Sequence, residues 1–226
     1  MSKQGKNKYY KRSHISEKKF RYLIRCFGHD FNALEASKMT DISHRSCKVI
    51  YAKLRVHIAR FCIDDTPESG EFELDESYFG ARRVPGKRGR GAAGKTPVFG
   101  VLKRDGKVHV EVVKNCSKEQ LIPIIQGKIL EGSTIHTDGW KAYDGLILNG
   151  YDHYRVFHSH NEFARGKCHV NGIESFWSFA KRRLAQFNGL NDDMFIFHLK
   201  ECEWRFNNRK NDLYAILLKN LRDNPL

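Results

Sequence analysis

The sequence predicts an α/β protein, a mixed β-sheet with flanking helices, preceded by a small all-α domain. Three observations carry that reading. Residues 1–62 show helical periodicity and a strong basic bias; a polar stretch follows at 63–70; and from residue 71 strand-like alternation runs until helical spacing takes over near residue 170.

Charge divides the chain in the same way. Residues 1–62 hold 15 Lys+Arg against 4 Asp+Glu, whereas the remainder holds 25 against 22, so the first quarter supplies most of the formal net charge of +14. Such a surface fits a polyanion, because neutralising phosphates releases condensed counterions. Nucleic acid is the expected partner. No run approaches the roughly 18 apolar residues that span a bilayer, the first residues show no signal-peptide core, and the six cysteines form no Cys-x-x-Cys pair. The sequence therefore predicts a cytoplasmic, nucleoid-associated protein without a membrane partner, a zinc ribbon or a secreted disulfide framework.

In the basic domain, Phe20, Leu23, Ile24 and Phe27 repeat at helical spacing after Ser16, with Gly28 as a stop. A short helix is expected over 32–38. Ser43 can cap a third helix, on which Cys47, Ile50, Leu54 and Ile58 share a face and Arg45, Lys48, Lys53 and Arg55 lie elsewhere. A tight turn before a basic third helix is the pattern of a helix-turn-helix module, whose last helix enters the major groove. These four cations are the candidate DNA contacts of the domain 1–62.

Residues 63–70 read as a linker and 71–226 as one catalytic domain including the last helices. Strands are expected at 71–79, 97–103, 107–114, 133–137 and 154–158. Helices are expected at 117–128, with a Ser117–Gln120 capping box, at 140–148, from 170 through Leu184, and at 192–207 and 211–222. Strands followed by helices in this order predict a ribonuclease-H-like sheet.

Three carboxylates stand where one site can use them. Asp75 lies late in the first strand, opposite in facing to Phe72 and Leu74; Asp138 ends the fourth; Glu174 opens the helix that follows. They converge if the first and fourth strands are neighbours and the helix crosses their ends. Hard divalent cations prefer oxygen ligands, so such a triad would hold two Mg²⁺ or Mn²⁺ ions for in-line attack on a phosphodiester. Asn171, one helical turn before Glu174, is an auxiliary oxygen donor, and His169 an orienting or proton-handling group.

The motifs Leu74-Asp75-Glu76-Ser77-Tyr78-Phe79-Gly80, Lys87-Arg88-Gly89-Arg90-Gly91, His136-Thr137-Asp138, Asn171-Gly172-Ile173-Glu174 and Glu201-Cys202-Glu203-Trp204-Arg205-Phe206-Asn207 carry a resemblance. Over roughly 70–210 the chain resembles bacterial insertion-sequence transposases of the Asp-Asp-Glu class, the ISXO-two-like domain group. The resemblance implies a ribonuclease-H-like catalytic domain in which Asp75, Asp138 and Glu174 are the metal-binding acids. Many relatives begin with a cysteine-rich zinc ribbon; this chain has no paired cysteines there, which leaves end recognition to the helical module.

Other basic residues are expected to track DNA backbone: Arg82, Arg83, Lys87, Arg88, Arg90 and Lys95 in a glycine-rich, acid-free loop, and Lys181 and Arg182 beyond Glu174. Trp140 and Tyr143 read as core. His153, His158, His160, Cys168 and His169 fit no closed zinc pattern. The expected activity is that of a transposase that binds the terminal inverted repeats of its element, cleaves the ends and joins the 3′-hydroxyl to target DNA. Double-stranded DNA is its partner, and a homodimer or larger assembly is expected on DNA. A nuclease of the same fold without strand transfer, and a DNA-binding repressor with an idle site, are the alternatives.

Overall fold

The computed structural model describes residues 7–62, 67–80, 95–138, 143, 146–156, 169–187 and 190–226. They form two compact units, one of 1–61 with 208–226 and one of 62–207.

The first unit contains α1 (Glu17–Gly28), α2 (Ala33–Thr40), α3 (His44–Phe61) and, from the end of the chain, α7 (Leu213–Asp223). Ser16 caps α1 by accepting the Lys19 N–H, and Asn32 with Glu35 forms a reciprocal capping box on α2. Asp41, in the left-handed region at φ 53°, turns the chain from α2 into α3. Phe20, Leu23, Ile24, Phe27, Ile50, Leu54 and Ile58 are buried.

The placement of α7 departs from the sequence expectation, which ran the second domain to residue 226. Leu217 and Leu221 are buried, and a Cβ on Gly28 would lie 3.4 Å from the Tyr214 backbone nitrogen, so helix α1 ends close against α7. Leu226 also pairs with the N-terminal segment through Lys11 N–H (2.9 Å) and the Tyr9 carbonyl (3.0 Å). Residues 1–61 and 208–226 together carry 19 Lys+Arg against 6 Asp+Glu, while 62–207 carry 21 against 20. The basic bias belongs to this unit.

The second unit is built on a five-stranded sheet in the order β3-β2-β1-β4-β5. Its strands are β1 (Glu71–Gly80), β2 (Lys95–Lys103), β3 (Val108–Val112), β4 (Thr134–Asp138) and β5 (Asp152–Val156). The first three pair antiparallel; β4 runs parallel to β1 and β5 parallel to β4. This is the ribonuclease-H-like mixed sheet expected from the sequence. β5 begins two residues earlier than expected. The helix expected at 140–148 falls largely outside the described residues, and a short 3₁₀ turn is seen at Ile147–Asn149.

Period-two alternation divides the sheet into two buried faces. On one, Phe72, Leu74, Phe99, Val101 and Ile135 pack on Leu121 and Ile125 of α4 (Lys118–Lys128). Ser117 sits at the N-cap of α4 but makes no side-chain cap bond, so the expected capping box is absent, and Pro123 is accommodated within the helix. On the other face, Phe79, Val98, Leu102, Val108 and Val110 meet Ile173, Phe176, Trp177 and Ala180 of α5 (Asn171–Leu184) and Leu199 and Cys202 of α6 (Asp192–Asn207).

Helix α6 also closes the sheet edge. Asn207 both accepts from the Val108 N–H and donates to its carbonyl at 2.8 Å, and Glu203 takes the Val110 N–H at 3.0 Å, so an otherwise open edge strand is covered. Glu201, fully buried, is neutralised by Arg183 (2.5 Å) and Arg205 (2.9 Å). The Glu201–Asn207 motif is thus an architectural one.

Candidate active site

The parallel register of β1 with β4 pairs Glu73 with His136 and Leu74 with Thr137. One step further, Asp75 and Asp138 stand side by side, both on the sheet face that α5 covers. Glu174 enters from the first turn of α5.

The electrostatics agree with this convergence. Burial pushes the Asp75 carboxyl up from its ordinary value near 3.8 to about 6, and the charges of Asp138 and Glu174 push it the same way. Two hydrogen bonds oppose the shift. Asp75 Oδ1 accepts the Glu76 N–H at 2.8 Å and Oδ2 accepts the indole N–H of Trp177 at 3.1 Å. Asp75 thus has two further carboxylates in its neighbourhood, and oxygen donors of this kind suit a hard cation such as Mg²⁺ or Mn²⁺. Among the described residues no three His, Cys, Asp or Glu side chains are grouped so as to hold a metal ion, so Asp75, Asp138 and Glu174 lie near one another without forming a ready-made ligand cage.

Trp177 reaches Asp75 by lying over Gly100, on the face of the sheet that α5 covers. Gly100 is the β2 partner of Asp75, and a Cβ at that position would lie 2.6 Å from the indole and 2.9 Å from Ile173 Cδ1. On the opposite face, the Tyr143 hydroxyl donates to Glu76, and burial beside that carboxylate drives the phenol well above its ordinary pKa. Thr137 Oγ1 lies 2.9 Å from His153 Nε2.

Sequence reasoning missed several residues of this region. Glu73, Gly100 and Arg104 carry no mark in the sequence, Gly172 enters only inside the Asn171–Glu174 motif, and Trp177 enters only as part of the helix expected from residue 170. A legible signal existed for Glu73: it shares the facing of Asp75 at the centre of a strand whose Phe72 and Leu74 point the other way, and a carboxylate in such a place needs partners.

The remaining candidates are distributed unevenly. Asn171 is exposed at the start of α5, beside Glu174. His169 lies further back, with Nδ1 3.4 Å from Glu73 Oε1 and its carbonyl accepting from Arg104. Lys181 reaches over the Phe79 ring at 5.8 Å, and exposed Arg182 bonds Ser178 at 2.6 Å. Lys95 opens β2 opposite Gly80. Arg82, Arg83, Lys87, Arg88, Arg90, Trp140, His158, His160 and Cys168 lie outside the described residues.

In the helical unit, Arg45 and Lys48 are exposed on the first turns of α3. Lys53 is exposed too, but its ammonium is engaged by Tyr10, at 3.1 Å from the hydroxyl and 4.7 Å from the ring centre. Arg55 corrects the expectation of a fourth DNA-facing cation. It is 8 % exposed, with its guanidinium 5.7 Å from the Phe27 ring and 5.9 Å from that of Tyr51, so it packs inside the unit. No helix among the described residues is long and apolar enough to cross a membrane.

Known proteins resemble this chain. A transposase-like protein of Haemophilus influenzae is 42 % identical over 115 residues, 51 % of this chain and 93 % of that protein. A protein in transposable element ISH50 of Halobacterium salinarum is 29 % identical over 176 residues, 71 % of this chain but only 60 % of that protein's length. Among solved structures, the catalytic core domain of BIV integrase aligns at 14 % identity and TM-score 0.41, over 67 % of this chain and 95 % of that one. The family model described as the ISXO2-like transposase domain matches residues 68–207, the span that holds the sheet, α5, α6 and all three carboxylates, and the chain therefore belongs to that transposase family.

Proposed function

We propose that this transposase binds the terminal inverted repeats of its insertion sequence, cleaves the DNA at each end, and joins the freed 3′-hydroxyl to target DNA. The observation that carries the reading is the proximity of the three acids: Asp75 and Asp138 fall next to each other on the adjoining strands β1 and β4, and the Asp75 carboxyl is pushed up first by burial and then by the charges of Asp138 and Glu174.

Asp75, Asp138 and Glu174 would hold two Mg²⁺ or Mn²⁺ ions. When bound, such a pair supplies Lewis acidity to the attacking oxygen and charge stabilisation to the leaving oxygen of an in-line displacement. The protein's own contribution is orientation. Trp177 and the Glu76 N–H each occupy one oxygen of Asp75, which fixes the plane of the carboxylate and leaves its outer lone pairs available. Asn171, exposed one turn before Glu174, would supply an auxiliary oxygen ligand or a hydrogen bond to the bound DNA.

End recognition falls to the basic helical unit in this reading. On this reading α2, the tight turn at Asp41–Ser43 and α3 act as a helix-turn-helix, and Arg45 and Lys48 would meet the DNA. Joining two ends requires at least two copies of the chain on DNA.

The test is Mg²⁺-dependent nicking of a plasmid carrying the cognate ends, followed by joining of a pre-cleaved 3′-hydroxyl end to target. Asp75→Asn and Glu174→Gln should abolish both steps and leave end binding nearly unchanged. Wild-type-like joining by either variant would overturn the assignment. Cleavage without joining identifies a nuclease, and binding without nicking an idle site.

A further inference from the structure

Helix α5 starts without a cap of its own. Its N-cap residue is Val170, whose side chain accepts no hydrogen bond, although the first N–H groups of a helix need acceptors. The acceptor comes from the neighbouring strand: Glu73 Oε2 takes the Ile173 N–H at 2.9 Å.

Glu73 is only 1 % exposed and sits mid-sheet between Leu102 on β2 and His136 on β4. An isolated carboxylate so placed is strongly destabilising unless paired. Arg104 supplies the pair: its Nε donates to Glu73 Oε1 at 3.1 Å, and its terminal nitrogens donate to Glu71 at 2.9 Å and to the His169 carbonyl at 2.6 Å. One guanidinium therefore ties strand β1 to the segment that leads into α5. Gly172 lets the two approach, because a Cβ there would stand 2.4 Å from Leu102 Cδ2 and 2.9 Å from Glu73 Oε2.

The consequence reaches the carboxylates. Glu174 follows Ile173 directly, and Trp177 lies one turn beyond on the face that meets Asp75, two residues along the strand from Glu73. Fixing the Ile173 N–H on Glu73 sets the height and rotation of α5 against β1. We propose that Glu73, held by Arg104, is a positioning residue that aligns Glu174 and Trp177 with Asp75. The proposal rests on the reading of Asp75, Asp138 and Glu174 as the reacting carboxylates. Glu73 acts through the helix rather than on DNA or metal.

The full-length chain tests this with Glu73→Ala, Glu73→Gln and Gly172→Ala. Leu121→Ala, in the core on the other sheet face, shows what a stability loss does by itself. Two readouts are compared: amide exchange in the first turn of α5 in metal-free protein, and the Mn²⁺ concentration for half-maximal nicking. Glu73→Ala and Gly172→Ala should speed exchange at Ile173 and raise the Mn²⁺ midpoint about 10- to 100-fold, the usual range for lost outer-shell partners. Glu73→Gln keeps an oxygen for Ile173 and should fall between; it decides the question if Glu73→Ala does not fold. Leu121→Ala should lower the melting temperature and leave the Mn²⁺ midpoint unchanged. Wild-type exchange and midpoint in Glu73→Ala, or an equal midpoint shift in Leu121→Ala, would overturn the positioning role. Asp75→Asn separates the two ideas. If it nicks normally the carboxylate reading falls, whereas an inactive Asp75→Asn beside an unaffected Glu73→Ala removes only the positioning role.

Discussion

The indole N–H of Trp177 donates to Asp75 Oδ2 at 3.1 Å, and it reaches that oxygen across Gly100, the sheet partner of Asp75 that presents no side chain. A strand, its neighbour and a helix far along the chain are thereby committed to one carboxylate.

Trp177→Phe should retain most of the packing and lose the donor. Because that bond favours the ionised carboxylate, the Asp75 pKa should rise further, and metal-supported nicking should fall about tenfold. The stability loss should stay within about 1.5 kcal/mol. Carboxyl titration by NMR and single-turnover nicking check this together. Gly100→Ala should do more harm, about 1–3 kcal/mol in urea unfolding, since the added methyl collides with the indole.

Stability should depend on pH through Asp75. Its folded pKa of about 6 exceeds the ordinary 3.8, so between those values the folded state binds the extra proton and stability falls as pH rises. The full loss is on the order of 2–3 kcal/mol, complete above pH 6. Metal-free Asp75→Asn should therefore be more stable than wild type at pH 7 by roughly that amount, an advantage that vanishes near pH 4. Mg²⁺ should stabilise wild type and not the variant. Calorimetric melts across pH 4–8, with and without Mg²⁺, measure both effects; a variant no more stable than wild type at pH 7 contradicts the assignment.

The buried ions under α6 should prove intolerant of deletion. Glu201→Ala strands Arg183 and Arg205 without their carboxylate, with an expected loss of about 3–5 kcal/mol. Lys181→Ala, at an exposed position whose ammonium lies over the Phe79 ring, should cost no more than about 1 kcal/mol. Urea unfolding of the two variants gives the contrast directly.

Cations on α3 should separate into two kinds. Neutralising Arg45 or Lys48 should weaken end binding and reduce the slope of log K against log salt by about 0.9 for each phosphate that is no longer neutralised. Arg55→Ala should instead lower the melting temperature, because its guanidinium packs on Phe27 and Tyr51. Binding titrations from about 50 to 300 mM salt, beside thermal melts, distinguish them; normal salt dependence in the Arg45 and Lys48 variants rules out this face of α3.

Much of the fold was legible because it rests on local periodicity. Alternation in β1, β-branched runs in β2 and the Ile173–Phe176–Trp177–Ala180 spacing of α5 each report a face to be buried, and each appeared where expected. Boundaries were less legible. Ser117 had the right residue type for a capping bond and does not make one, and α7 reads from sequence like any amphipathic helix, with nothing local to say that its leucines belong against α1.

By itself, the sequence determined the order of elements, the basic first quarter and the three acids, all properties of residue type and spacing. The tertiary structure alone decided which of these meet. Parallel pairing of β1 with β4 sets Asp75 beside Asp138, a missing side chain at Gly100 admits Trp177, and Glu73 with Arg104 supplies the helix start that Val170 cannot. Those relationships depend on strand register and close approach between distant segments, and no local pattern encodes either.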